Sequence, residues 1–310
     1  MIIPLCMNCD TYRSYCRLSA WILLGVSFLF VGCASSGSGS GSGSSLSTRE
    51  TVNQTPIDGY VPCAAIQRRT QPITCLVLHH TATALPSAMQ TLQGKTNSHR
   101  VGIHYLVSDE NRPRVFRMAH ECFATSHAGK SRWKDYNGLN QPSVGIEIVN
   151  LDGNIHPYPA SQISAIIRLC QDIIKRNNIH PANVVAHSDI AVGRKVDPGS
   201  LFPWEQLAAA GVGAWPDANE VARCRQLYQR SLPNKSQLKQ MLNTYGYSFD
   251  DNSDASLHLA IEAFQRHFRG RKVDGNADVE TVAILAALNY KYNNVKPPAP
   301  NSTAAPATKK

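Results

Sequence analysis

The sequence predicts an α/β fold: a mixed central sheet flanked by helices, followed by a small C-terminal three-helix domain. Two observations carry that expectation. Between about Ile57 and Pro216, short runs of β-branched and aliphatic residues alternate with stretches whose apolar residues recur every three or four positions. From about Lys235 only the three-to-four period remains. The length of 310 residues fits about two domains, at roughly 100–200 residues each.

The elements follow in chain order. Arg13 and Arg17 precede an apolar stretch, Trp21 to Val31, that ends at Gly32-Cys33. A basic start, a short apolar run and a small residue before the cut describe a secretory signal, residues 1–32; the run is shorter than a spanning helix needs. Cys33 directly after the small residue resembles a bacterial lipobox and is the expected lipidation site, with Phe30 where Leu is usual. Ala34, rather than Asp, follows it, which in lipoprotein sorting implies the outer membrane, facing the periplasm. The stretch before Arg13 is long, so Met1 and Met7 are alternative starts. Residues 33–56 are Gly/Ser-rich, cannot bury a core, and read as a flexible tether.

Cys75–His79, His104–Val107, Arg114–Arg117, Ser143–Val149 and Asn183–His187 read as strands. Ser87–Thr96 is a weaker helix. Ala160–Asn177 is a strong one, with Ile163, Ile166, Ile167, Cys170, Ile173 and Ile174 on one face and Ser161 as N-cap. Phe202–Leu207 starts a further short helix. In the second domain, residues 232–293, helices are expected over Ser236–Tyr245, Leu257–Phe268 and Ala277–Tyr290. The Pro/Ala/Ser/Thr/Lys-rich segment 294–310 is expected to be disordered.

The net charge of +9 suits an anionic polymer, a cell wall or lipid headgroups included. No arginine-rich helix or interleaved basic and aromatic patch occurs, so nucleic acid is not an expected partner. Five cysteines remain beyond Cys33: Cys63, Cys75, Cys122, Cys170 and Cys224. An odd number cannot all pair, and the pairing is not readable from spacing. Cys75 and Cys170 fall within apolar patterns, as buried thiols do.

Three segments carry the chemistry. His79 and His187 each end an apolar run, and Asp197 lies ten residues beyond His187 in an Asp-Pro-Gly turn. Two histidines and a carboxylate form a first-row metal set, suited to hydrolytic zinc with an open fourth position. Successive strand side chains face opposite ways, so only one of His79 and His80 can face a given site. Glu147 and Lys195 are available to move a proton and to stabilise negative charge.

Taken together, Leu78-His79-His80-Thr81-Ala82, Gly145-Ile146-Glu147, Ala186-His187-Ser188-Asp189-Ile190 and Lys195-Val196-Asp197-Pro198-Gly199 resemble the type 2 N-acetylmuramoyl-L-alanine amidases, which share the peptidoglycan-recognition-protein fold. The likeness runs from about Ala64 to Tyr292 and is nearest to the AmiD-type outer-membrane lipoprotein amidases. It implies a zinc amidase domain at 57–220, with Zn2+ held by His79, His187 and Asp197, Glu147 as the catalytic acid and base, and Lys195 facing the oxyanion. His104, His127 and Asn150 match groove positions that could bind substrate or be structural. Trp215 is read as packing rather than stacking on sugar. Ala263 to Phe268 and Asp274-Gly275 resemble a peptidoglycan-binding domain, as wall binder or as buttress. The implied partners are peptidoglycan or muropeptides and a membrane through the lipid anchor, and the expected state is a monomer. The alternative is a non-catalytic peptidoglycan-binding or sensing lipoprotein. A cytosolic recycling amidase conflicts with the signal and Cys33. Preference among intact sacculi, muropeptides and anhydro-muropeptides is not written in the chain.

Overall fold

A computed structural model describes residues 55–95, 101–249, 251 and 253–298. The expected signal peptide, Cys33, most of the tether and the tail beyond residue 298 lie outside them. No described helix is long and apolar enough to cross a membrane.

Among the described residues ten strands occur in chain order: β1 Gly59–Tyr60, β2 Ile66–Arg68, β3 Cys75–His80, β4 Tyr105–Val107, β5 Val115–Arg117, β6 Phe123–Thr125, β7 Arg132–Trp133, β8 Tyr136–Asn137, β9 Ser143–Ile148 and β10 Val184–Ala186. Six form one mixed sheet in the order β1-β5-β4-β9-β3-β10. Its β4, β9, β3 and β10 run parallel, and β5 is antiparallel to β4. The near-continuous apolar run of β3 suits a central strand buried on both faces. The remaining strands make two small antiparallel pairs, β2 with β6 and β7 with β8.

The helices are α1 Leu85–Leu92, α2 Ala160–Asn177, α3 His187–Ile190, α4 Trp204–Ala209, α5 Ala218–Tyr228, α6 Lys235–Tyr245, α7 Asp254–Phe268 and α8 Val279–Asn293. Alternation along the strands divides the core. Leu76 and Leu78 of β3, with Val144, Ile146 and Ile148 of β9, pack on Ile163, Ile166, Leu169, Cys170 and Ile173 of α2. Each such side chain contributes ~1.5–3 kcal/mol by leaving water. Cys75 and Val77 face the other way, into a cluster shared with Trp133, Val185 and the helices α6 to α8. His79, two residues beyond Val77, lies on this second face.

The expected α/β architecture with a helical C-terminal region is present, and α2 spans the residues read from its periodicity. Three differences stand out. Pro159, not Ser161, occupies the N-cap of α2, and no side chain caps it. The C-terminal module has a fourth helix: α5 packs on α8 through a core that includes Cys224 and Tyr228. Its Asp217 N-cap accepts from the amides of Asn219 and Glu220. Residues 294–298, expected within the disordered tail, turn back on the module: Val295 N–H donates to Asn289 O (3.2 Å) and the Tyr228 hydroxyl to Pro298 O (3.0 Å). Among the cysteines, Cys63, Cys75, Cys170 and Cys224 are buried thiols without disulfide partners.

Candidate active site

The parallel strands deliver their ends to one place. In register, His79 of β3 lies beside Glu147 of β9, and Ala186 of β10 beside Leu78. His187, the next residue after Ala186, therefore enters the site as α3 begins. Open sheets bind ligands at such carboxyl ends. Asp197 returns on the turn after α3, where Ser188 N–H donates to its backbone carbonyl (3.0 Å). His80 points the other way, accepting from Gly153 N–H (3.1 Å).

Three donor atoms converge. His79 Nδ1 and His187 Nδ1 are 2.9 Å apart, and Asp197 Oδ2 lies 3.3 Å from the first and 3.0 Å from the second. All three residues are buried, and together they form a group able to hold a metal ion. Tetrahedral zinc with bonds of ~2.0–2.1 Å places its ligand atoms about 3.3 Å apart, so the set fits the ion.

Hydrogen-bond direction supports the same fit. The Ser143 hydroxyl donates to Leu139 O, so it accepts from His127 Nε2–H at 3.0 Å. His127 Nδ1 is then an acceptor, 2.9 Å from His79 Nε2. His79 must carry its proton on Nε2, which leaves the Nδ1 lone pair facing the site. His187 Nε2 likewise faces Ala128 O at 3.4 Å. Outer partners that fix the tautomer of a histidine are what metal sites use. Gly145 makes room for this arrangement: a Cβ there would sit 2.7 Å from the His127 ring and 2.6 Å from Ile103.

Electrostatics separates the two carboxyl groups. Burial works to raise the Asp197 carboxyl, but His187, by its charge and its hydrogen bond, outweighs it and holds it well below the usual range. Burial, then repulsion from Asp197, pushes Glu147 up to about 8, with Lys195 pulling the other way. Glu147 Oε2 is enclosed and has no hydrogen-bond partner. Burial, then the neighbouring His187, lowers His79 to about 4, which keeps it neutral at pH 7 and able to ligate. One carboxylate stays ionised while the other holds its proton near neutrality, a division that suits acid–base work.

The comparisons accord with this geometry. The N-acetylmuramoyl-L-alanine amidase family matches residues 69–200, and the peptidoglycan binding domain family matches residues 232–285. The N-acetylmuramoyl-L-alanine amidase AmiD of Escherichia coli is 38% identical over 285 residues, which is 87% of this chain and 97% of that protein. The chain belongs to the N-acetylmuramoyl-L-alanine amidase family. Among solved structures, AmpDh3 of Pseudomonas aeruginosa matches with a TM-score of 0.68 at 38% identity, over 73% of this chain and 96% of that one. The complex of E. coli AmiD with anhydro-N-acetylmuramic acid-L-Ala-D-gamma-Glu-L-Lys matches with a TM-score of 0.66 at 39% identity, over 74% and 94%.

In this amidase His79, Glu147, His187 and Asp197 come together, and Lys195 sits at the exposed edge, on the turn that leads into Asp197. The three groove candidates divide differently. His104 is fully buried. Its Nδ1 accepts from Gly145 N–H (3.0 Å) and its Nε2 lies 3.1 Å from Phe123 O, so both nitrogens serve the fold. Asn150 closes its own loop, accepting from Asp152 N–H (2.9 Å) and donating to His156 O (3.1 Å). His127 is engaged through both nitrogens, as described above. All three are thus bonded within the protein. Trp215 packs beside Phe268, ring centroids 5.9 Å apart, as the packing reading expects. The sequence reading missed Ser143, and also Arg69, whose guanidinium ties Glu121 O, Phe123 O and Ser143 O beneath the site. A serine at a strand start and an arginine in a polar loop carry no signal of either role.

Proposed function

We propose that this amidase hydrolyses the amide between the lactyl group of N-acetylmuramic acid and L-alanine, in peptidoglycan or its fragments. The observation that carries the reading is the convergence of His79, His187 and Asp197 with Glu147 in register beside them. Zinc bound by those three residues would acidify a water and polarise the scissile carbonyl.

The chain's own groups supply the remaining steps. Glu147 accepts a proton from the water as its oxygen bonds to the carbonyl carbon. As the C–N bond breaks, Glu147 returns a proton to the leaving amine of L-alanine. Lys195 faces the negative charge that builds on the carbonyl oxygen. His127, held by Ser143, keeps His79 in the ligating tautomer. The relatives' structures contain anhydro-muropeptides, and fragments of this kind are the substrates proposed here alongside the sacculus. The helical module at 232–293 adds a wall-contacting surface to the domain at 57–220.

The test is digestion of purified sacculi and of muropeptides by residues from Leu46 onward with zinc. Free stem peptides beginning with L-alanine, seen by mass spectrometry and lost on chelation, are the expected products. Zinc-loaded protein that binds both substrates and releases nothing would favour a wall binder.

Cys33 after Gly32, behind an apolar run, supports lipidation and a place on the periplasmic side of the outer membrane. Cys33→Ala should move the full chain from the membrane to the soluble fraction. Membrane retention of that variant would remove the lipid anchor from this account.

A further inference from the structure

We infer that the C-terminal helical module positions the metal site by clamping Asp189, the carboxylate that holds α3 in place. The inference rests on the proposed role of His79, His187 and Asp197.

Helix α3 is only four residues long, yet it serves two of the three converging ligands. It begins with His187, and its Ser188 N–H holds the Asp197 carbonyl. So short a helix has little stability of its own. Its anchor is Asp189, which is fully buried. Asp189 Oδ2 accepts from Ala186 N–H (2.8 Å), one residue before His187.

The rest of that carboxylate is held from the module. The Tyr247 hydroxyl, just after α6, donates to Oδ1 at 2.6 Å, and His267 Nδ1 of α7 lies 2.6 Å from Oδ2. A carboxylate only accepts, so His267 donates from Nδ1. These two partners are 1% and 4% exposed. The His267 ring is stacked 3.8 Å from Trp204 of α4. Its Nε2 is buried without a partner. Tyr247 packs edge-on against Trp133 at 5.1 Å.

A buried carboxylate costs stability unless its lone pairs are filled. Here two of its three donors come from the C-terminal module, outside the sheet domain, and what they immobilise is the segment carrying His187 and Asp197. A module that served only to touch the wall would have no reason to place an enclosed histidine on this aspartate.

The test compares Tyr247→Phe, His267→Leu and His267→Asn with Leu238→Ala, a core truncation in α6 that removes no hydrogen bond to Asp189. Zinc affinity is read by competition with a chelator, and folding by thermal melts of the zinc-free proteins. Tyr247→Phe and His267→Leu should weaken zinc binding about 10-fold or more, as loss of outer-shell support does elsewhere. His267→Asn, which can offer an N–H near the Nδ1 position, should recover part of the loss. Leu238→Ala should melt earlier and bind zinc as the wild type does.

Folded clamp variants with unchanged affinity would overturn the inference, and so would an equal loss in Leu238→Ala. Hydrogen exchange of the Ala186 and Ser188 amides in zinc-free protein gives an independent readout. Both should exchange faster in the clamp variants and not in Leu238→Ala. Wild-type protein that binds no zinc would remove the metal-site reading, and the exchange rates would still decide whether the module holds α3.

Discussion

Glu147→Gln is expected to keep zinc and lose most of the activity. Gln has nearly the same shape and can occupy the same place on β9, so the three converging ligands are undisturbed. What it cannot do is take and return a proton. Loss of a positioned acid–base group costs on the order of 10²–10⁴-fold in rate, and the loss should fall in kcat. Retained activity would remove Glu147 from the chemistry.

The same variant carries a stability signature in zinc-free protein. The folded pKa of Glu147, about 8, lies above the ordinary carboxyl value. Between the ordinary value of about 4.3 and about 8, the folded state keeps a proton that the unfolded state has lost. Wild-type stability therefore falls with rising pH across that window, relative to a variant that cannot ionise. Zinc-free Glu147→Gln should be no less stable than wild type at pH 4, and more stable at pH 8. Denaturant midpoints at the two pH values read this directly. Equal pH dependence in both proteins would show that the carboxyl is not held in its neutral form.

Why some of this was legible and some was not follows from what a single sequence encodes. His79, Glu147 and His187 stood out because each closes or sits within a buried apolar run, and parallel strands bring such ends together. Alternation correctly set His79 and His80 on opposite faces. Register was not encoded locally: that His79 lies beside Glu147 depends on two strands more than sixty residues apart. His104 and Asn150 show the limit on polar residues near a site. The sequence marked them as close to the chemistry but not as bonded to the fold, because their partners are backbone groups of Phe123, Gly145, Asp152 and His156. Helix α5 escaped because its apolar stripe is narrow, Val221, Cys224 and Tyr228 among charged residues, and it is ordered by packing on α8. The Asp189 clamp escaped because its partners belong to a different sequence region altogether.

Asp197→Ala is the second large effect, and it should differ in kind from Glu147→Gln. It removes one of three protein ligands. Structural zinc sites bind with ~10–16 kcal/mol in total, or about 3 kcal/mol for each of four ligands, which corresponds to roughly 10²–10³-fold in affinity. Activity measured at low zinc should fall at least as far and should recover in part when zinc is raised, because Glu147 is still in place. No zinc concentration should restore Glu147→Gln. The pH signatures also oppose one another. Burial works against ionised Asp197, yet His187 holds its pKa well below the ordinary value. Its stabilisation is therefore present above the ordinary aspartate pKa of about 3.9 and is lost as pH falls through the depressed value. Zinc-free Asp197→Ala should be less stable than wild type at pH 7, with the gap closing on acidification, whereas the Glu147→Gln gap opens as pH rises. Two neighbouring carboxyl groups, one held ionised by His187 and one held neutral by burial, are thereby distinguishable by titration of stability alone. If both variants showed the same pH trend, the division of labour between ligand and proton carrier would be wrong.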